Sequence, residues 1–96
     1  MTMFRINSGD TRPALRYRMP KEIDAAGASI VMSVGDVLVR RPVETVSQDP
    51  LVVQYDWRPS DALEPGLYPL EFEVLYPDGG VETISDEGTL GVLVVK

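Results

Sequence analysis

Apolar and polar residues alternate along this chain with a period of two. The clearest stretch runs from Tyr68 to Tyr76: Tyr68, Leu70, Phe72, Val74 and Tyr76 share one face, Pro69, Glu71 and Glu73 the other. That alternation predicts a half-buried strand with its apolar side inward. Pro77-Asp78-Gly79-Gly80 follows as a tight-turn sequence, and Val81-Glu82-Thr83-Ile84 returns as the partner strand, which together predict a hairpin. Leu51, Val53, Tyr55 and Trp57 align on a second strand, with Gln54 and Asp56 opposite; Ile30, Met32 and Val34 align on a third. Leu15, Tyr17 and Met19 alternate with Arg16 and Arg18 on a fourth. Shorter candidates cover 3–7, 37–41 and 43–46, and the last strand is Leu90 to Val95.

Turn sequences separate these segments: Ser8-Gly9-Asp10, Ala25-Ala26-Gly27, Gly35-Asp36, Gln48-Asp49-Pro50, Pro65-Gly66 and Asp86-Glu87-Gly88. No amphipathic stretch reaches helical length, although Ser60–Leu63 has room for one helical turn capped by Ser60. Short strands at this spacing predict an all-β, immunoglobulin-like antiparallel β-sandwich of about 7–9 strands, with residues 1–96 as a single domain. Leu63-Glu64-Pro65-Gly66-Leu67-Tyr68 has the spacing of a tyrosine corner, in which a Tyr hydroxyl bonds back to the backbone a few residues upstream. Trp57 is the natural core plug. The expected core is Tyr55, Trp57, Leu63, Tyr68, Leu70, Phe72 and Val74.

Composition narrows the chemistry. The chain has 96 residues, with no Cys and no His. Disulfide staples, the usual zinc, copper and haem ligand sets, and Ser-His-Asp or Cys-His nucleophile arrangements therefore cannot be built. The lack of Cys points to folding in a reducing compartment, and no apolar run suggests a signal peptide or a membrane span. A soluble chain made in the cytoplasm is expected. The net charge of −6 argues against binding nucleic acid through its phosphates. Charge is unevenly spread: residues 1–41 hold seven Lys/Arg against four Asp/Glu, residues 42–96 two against eleven. Interleaved strands would cancel that bias in space; a partner of complementary charge would exploit it.

Carboxylates are the abundant catalytic-type groups. Glu71 and Glu73 share the polar face of the long strand, with Glu82 expected across the hairpin from them. A flat sheet face gives no cleft to perturb a pKa, so a solvated face is the simpler reading, and no catalytic residue is assigned. Asp78-Gly79-Gly80 and Asp86-Glu87-Gly88 are too sparse for the 6–8 oxygens that calcium takes. No cofactor is implied. Arg12, Arg16 and Arg18, with Lys21 nearby, form either the polar side of a strand or a basic patch for an acidic partner. Arg40-Arg41-Pro42 reads as protection of a strand edge.

The last strand is apolar on both sides. Leu90, Val92 and Val94 form one set, Leu93 and Val95 the other. In a two-layer sandwich only one set joins the core. The other set, with Leu75 on the long strand, is either covered by Met3, Phe4 and Ile6 from the same chain or lies at a protein contact. The candidate interface is therefore Leu75, Leu93 and Val95, then Arg12, Arg16 and Arg18.

One combination of segments carries a resemblance. Gly9-Asp10-Thr11-Arg12-Pro13 is followed by Ile23-Asp24-Ala25-Ala26-Gly27-Ala28-Ser29-Ile30-Val31-Met32 and then by Tyr55-Asp56-Trp57. After these come Pro65-Gly66-Leu67-Tyr68, Glu71-Phe72-Glu73-Val74, Asp78-Gly79-Gly80 and Glu82-Thr83-Ile84. Over about residues 9–95 this resembles the N-terminal, immunoglobulin-like domain of the baseplate upper protein family of tailed phages. The resemblance implies a bacteriophage virion structural protein that docks onto other virion proteins. Its place would be the baseplate, tail or connector, with capsid decoration or head-fibre attachment as the alternative. It implies location in the virion, synthesis in the host cytoplasm, and a possible homo-oligomer that binds neither nucleic acid nor membrane. From another class, a carbohydrate- or ligand-binding sandwich module would need exposed aromatics.

Overall fold

A computed structural model describes residues 2–20, 23–24, 26–85 and 90–96. The strands are β1 (Thr2–Asn7), β2 (Leu15–Arg18), β3 (Ser29–Val34), β4 (Leu38–Pro42), β5 (Glu44–Gln48), β6 (Leu51–Tyr55), β7 (Gly66–Leu75), β8 (Val81–Ile84) and β9 (Leu90–Val95), with a 3-10 turn at Pro59–Asp61. Each strand expected from the alternation is present. The turn at Asp86-Glu87-Gly88, and Lys21 and Ala25, lie outside the described residues.

The chain is an all-β, immunoglobulin-like sandwich. One sheet runs β1-β9-β7-β3-β4, with β8 also paired to β7; the other runs β2-β6-β5. The strand β7 is ten residues long and serves two partners on one edge: Gly66 to Pro69 pair with β9, Phe72 to Leu75 with β8. The pairing differs from an all-antiparallel expectation in one place, because β1 lies parallel to β9, with Thr2 opposite Leu90 and Asn7 opposite Val95.

The core lies between the sheets. Met32, Val34, Phe72, Val74 and Val92 from the large sheet meet Leu15, Val53 and Tyr55 from the small one. Tyr17 crosses the gap to stack on Phe72, with ring centroids 5.1 Å apart. Trp57, just past β6, is flanked by Phe4 at 6.0 Å and meets Tyr55 edge-on at 5.3 Å. Leu63 and Leu70 are buried as expected, and Tyr68 is half-buried.

The tyrosine corner is formed: the Tyr68 hydroxyl donates to the Glu64 carbonyl at 2.6 Å. Gly66, at φ 159°, starts β7 against the Tyr68 ring. The bond is exposed to solvent, so Tyr68→Phe should cost about 0.5–1.5 kcal/mol, the net value of one hydrogen bond, and not the larger sum that a buried hydroxyl would forfeit. Chemical denaturation of the two proteins measures this, and a cost above about 3 kcal/mol would mean that the hydroxyl supports more than the corner.

Two local expectations need correction. Ser60 does not cap a helical turn; Arg58 occupies the N-cap position of the 3-10 turn, and its N–H donates to Asp61 Oδ2 at 3.0 Å. Glu82 does not join Glu71 and Glu73, because Leu75 pairs with Val81, which puts Thr83 opposite Glu73 and Glu82 opposite Val74. The Tyr76 hydroxyl donates to Glu82 at 2.7 Å instead.

Candidate interaction surface

The outer face of the large sheet carries an apolar patch where β1, β9 and β7 run side by side. Alternation sends Leu90, Val92 and Val94 inward, where they are buried, and leaves Leu93 and Val95 half-buried on the outside. Register then sets their neighbours: Arg5 and Leu67 both pair with Leu93, while Met3 and Pro69 both pair with Gly91. Leu67 is 64% exposed and Met3 38%. Gly91 has no side chain to separate them, and a Cβ there would lie 3.4 Å from Met3 Sδ, 3.7 Å from Leu67 Cδ1 and only 3.1 Å from the Tyr68 carbonyl oxygen. Met3 and Leu67 thus close over the glycine into one continuous surface.

The N-terminal segment does not cover this face. It adds to the sheet edge-on: Ile6 is buried and Phe4 half-buried, while Met3 becomes part of the patch. Of the expected interface residues, Leu93 and Val95 sit within the patch. Leu75 does not: it lies eight residues from Leu67 along β7, roughly 26 Å away at strand rise, opposite Ser29 and Val81. Sequence reasoning missed Leu67 and placed Met3 as a cover and not as part of the surface; the parallel β1–β9 and antiparallel β7–β9 registers together bring the two side by side.

The arginines belong to the other sheet. Arg16 Nε donates to Gln54 Oε1 at 2.6 Å, and Gln54 in turn donates to Asp56 at 2.8 Å, so Arg16 is held within a polar row on the outer side of β2 and β6. Arg18, also exposed, sits two residues on, and Arg12 lies in the loop before β2 beside Asp56. The two halves of the expected interface therefore lie on different sheets and do not form one site. Arg40 and Arg41, on the edge strand β4, are both engaged: Arg40 with Glu73 at 3.0 Å and Arg41 with Asp61 at 3.7 Å. Arg40 has φ 53° and its N–H bonds Ser33 Oγ at 3.1 Å, where the β3–β4 register slips. A bulge of this kind bends an edge away from straightforward pairing.

Among the described residues, Asp61 is the charged residue found in the interior, 4% exposed. Its Oδ2 accepts from the Tyr55 hydroxyl and from the Arg58 N–H. Burial first, and the bond to Asp61 second, push the Tyr55 hydroxyl up to about 12, so it stays a proton donor throughout the physiological range. Among the described residues no three or more of His, Cys, Asp and Glu gather in metal-binding geometry. The aromatics do not form a sugar platform either: Tyr55, Trp57 and Phe72 are buried, and Phe4, Tyr17, Tyr68 and Tyr76 are half-buried.

No family model and no curated protein matches this chain. Among solved structures it is similar to CopC from Methylosinus trichosporium OB3b, with a TM-score of 0.51 and 15% identity over 99% of this chain and 85% of that one. That likeness shows the fold. It also overturns the expectation of a virion protein located in the virion: the fold is matched by a copper-binding protein of the periplasm, and no phage protein accompanies it. The physical reason is that the quoted segments do general sandwich work. Pro65 to Tyr68 makes the corner, Asp78 to Gly80 makes a hairpin turn in which the Gly80 N–H bonds Asp78 at 2.8 Å, and Tyr55 and Trp57 fill the core. Any sandwich with these connections selects similar residues.

Proposed function

We propose that this chain is a non-catalytic interaction domain that associates with a second copy of itself through the outer face of β1, β9 and β7. The carrying observation is the exposure of Leu67 and Met3, closed over Gly91 and continued by Leu93 and Val95. An apolar surface of this kind marks an interface. The copper of CopC is not carried over with the fold, since this chain has neither His nor Cys.

Charge selects the second copy as occupant. Arg5 borders the patch on β1, and Glu71 borders it on β7, one inward-facing residue beyond Pro69. Both are exposed, and Gly91 lies midway between them in the sheet. A two-fold axis in the plane of the face lays the apolar patches together and sets Arg5 of each copy against Glu71 of the other, the self-complementary arrangement of an isologous dimer.

Sedimentation equilibrium tests this. The wild-type chain should show a concentration-dependent monomer–dimer equilibrium. Leu67→Glu should weaken it by tenfold or more while leaving the melting curve unchanged, since two copies of a side chain worth about 1.5–3 kcal/mol each are lost from the contact. Arg5→Glu and Glu71→Arg should each weaken association, and the double exchange should restore it. A strict monomer, or an association indifferent to Leu67→Glu, overturns the proposal.

A further inference from the structure

We infer that the crevice between the Ser8–Asp10 turn and the 3-10 turn binds one water molecule, which accepts a hydrogen bond from the Trp57 indole N–H and donates one to Asp61 Oδ1. Trp57 Nε1 and Asp61 Oδ1 are both buried with no hydrogen-bond partner among the described residues. The residues are 6% and 4% exposed, and both line this crevice, together with Ile6, Gly9 and Leu63. The other Asp61 oxygen is fully used by the Tyr55 hydroxyl and the Arg58 N–H. The guanidinium of Arg41 stands 3.7 Å from Oδ1, an ion-pair distance that leaves the oxygen without a hydrogen bond.

The chemistry of the two atoms selects the ligand. One is a donor only, the other an acceptor only. A cation would satisfy the carboxylate and be repelled by the N–H; an anion would do the reverse. A hydroxyl-type group accepts at its oxygen and donates its proton, so it satisfies both. The room fits the smallest such group: the volume open to the centre of a water-sized sphere is about 10 Å³, close to what one buried water occupies by that measure. Ser8 Oγ donates to the Leu63 carbonyl at 2.7 Å across the same crevice, so the bound water is a second tie between the β1–β2 turn and the turn that carries Asp61.

The chain has a single tryptophan, so its indole N–H gives one unambiguous NMR signal. The expected result is cross-relaxation between that proton and a long-lived water, seen as NOE and ROE of opposite sign. In a high-resolution crystal structure of the wild-type chain, density for one water should lie within hydrogen-bond distance of Nε1 and Oδ1. Trp57→Phe, which keeps the ring and removes the donor, should lower the occupancy of that water. A direct Trp57–Asp61 hydrogen bond in the crystal overturns the inference. So does a dry crevice, or cross-relaxation that persists without crystallographic water and therefore passes through exchangeable hydroxyl protons.

Discussion

Trp57→Ala will lower the free energy of unfolding by about 3–5 kcal/mol, the range for truncating a large aromatic in a core. Trp57 is 6% exposed and touches both layers: Phe4 of β1 stacks on it at 6.0 Å, and Tyr55 of β6 meets it edge-on at 5.3 Å. Its removal leaves a void that these two rings cannot fill, since each is anchored in its own strand. Domains of this size are stable by about 5–15 kcal/mol in total, so the variant should be largely unfolded at modest denaturant concentration. A wild-type denaturation curve would show that the indole is dispensable and that the sandwich closes elsewhere.

Asp61→Ala comes second, at about 3 kcal/mol. The loss does not come from the carboxylate itself, which is costly to bury, but from what its removal strands. The Tyr55 hydroxyl and the Arg58 N–H lose their acceptor, and Arg41 loses its counter-charge. Tyr55→Phe in the Asp61→Ala background should therefore be nearly neutral, although it is costly in the wild-type chain. The pair also predicts a pH response. Tyr55 ionises near 10 when unfolded and near 12 when folded. Its contribution is fully present below pH 10 and is lost as pH rises through 12. Stability of the wild-type chain should fall across that window, and the fall should be shallower in Asp61→Ala. Equal slopes in the two proteins would show that the Tyr55–Asp61 bond does not set the ionisation.

How far the sequence led can be judged from particular residues. The alternation from Tyr68 to Tyr76 located the central strand β7, because one buried face imposes a strict period, and the corner at Glu64 and Tyr68 was legible from the spacing of Leu63-Glu64-Pro65-Gly66-Leu67-Tyr68. The two-sided apolar character of Leu90–Val95 pointed to the outer face of β9, and the outer patch is there. Leu75 failed as a member because alternation tells which face a residue takes and not where along the sheet it falls. Glu82 failed because hairpin register is set by the turn, and a shift of one residue exchanges the faces. Asp61 left no sequence signal as an interior residue: an Asp after Pro59-Ser60 reads as ordinary turn chemistry, and burial of a charge depends on partners such as Tyr55 and Arg41 that only the tertiary structure supplies.

The parallel pairing of β1 with β9 bears on the order in which the sandwich is assembled. Thr2 and Leu90 are neighbours in the sheet although almost the whole chain separates them. During synthesis β1 is made long before β9, its partner in the sheet, and closing so long a loop carries the largest entropic penalty of the strand pairings in the fold. Until β1 docks, the edge of β9 that it pairs with and the side of Trp57 that Phe4 covers stay open. The segment that completes both the hydrophobic interior and the outer patch is thus made well before the strand it must wait for.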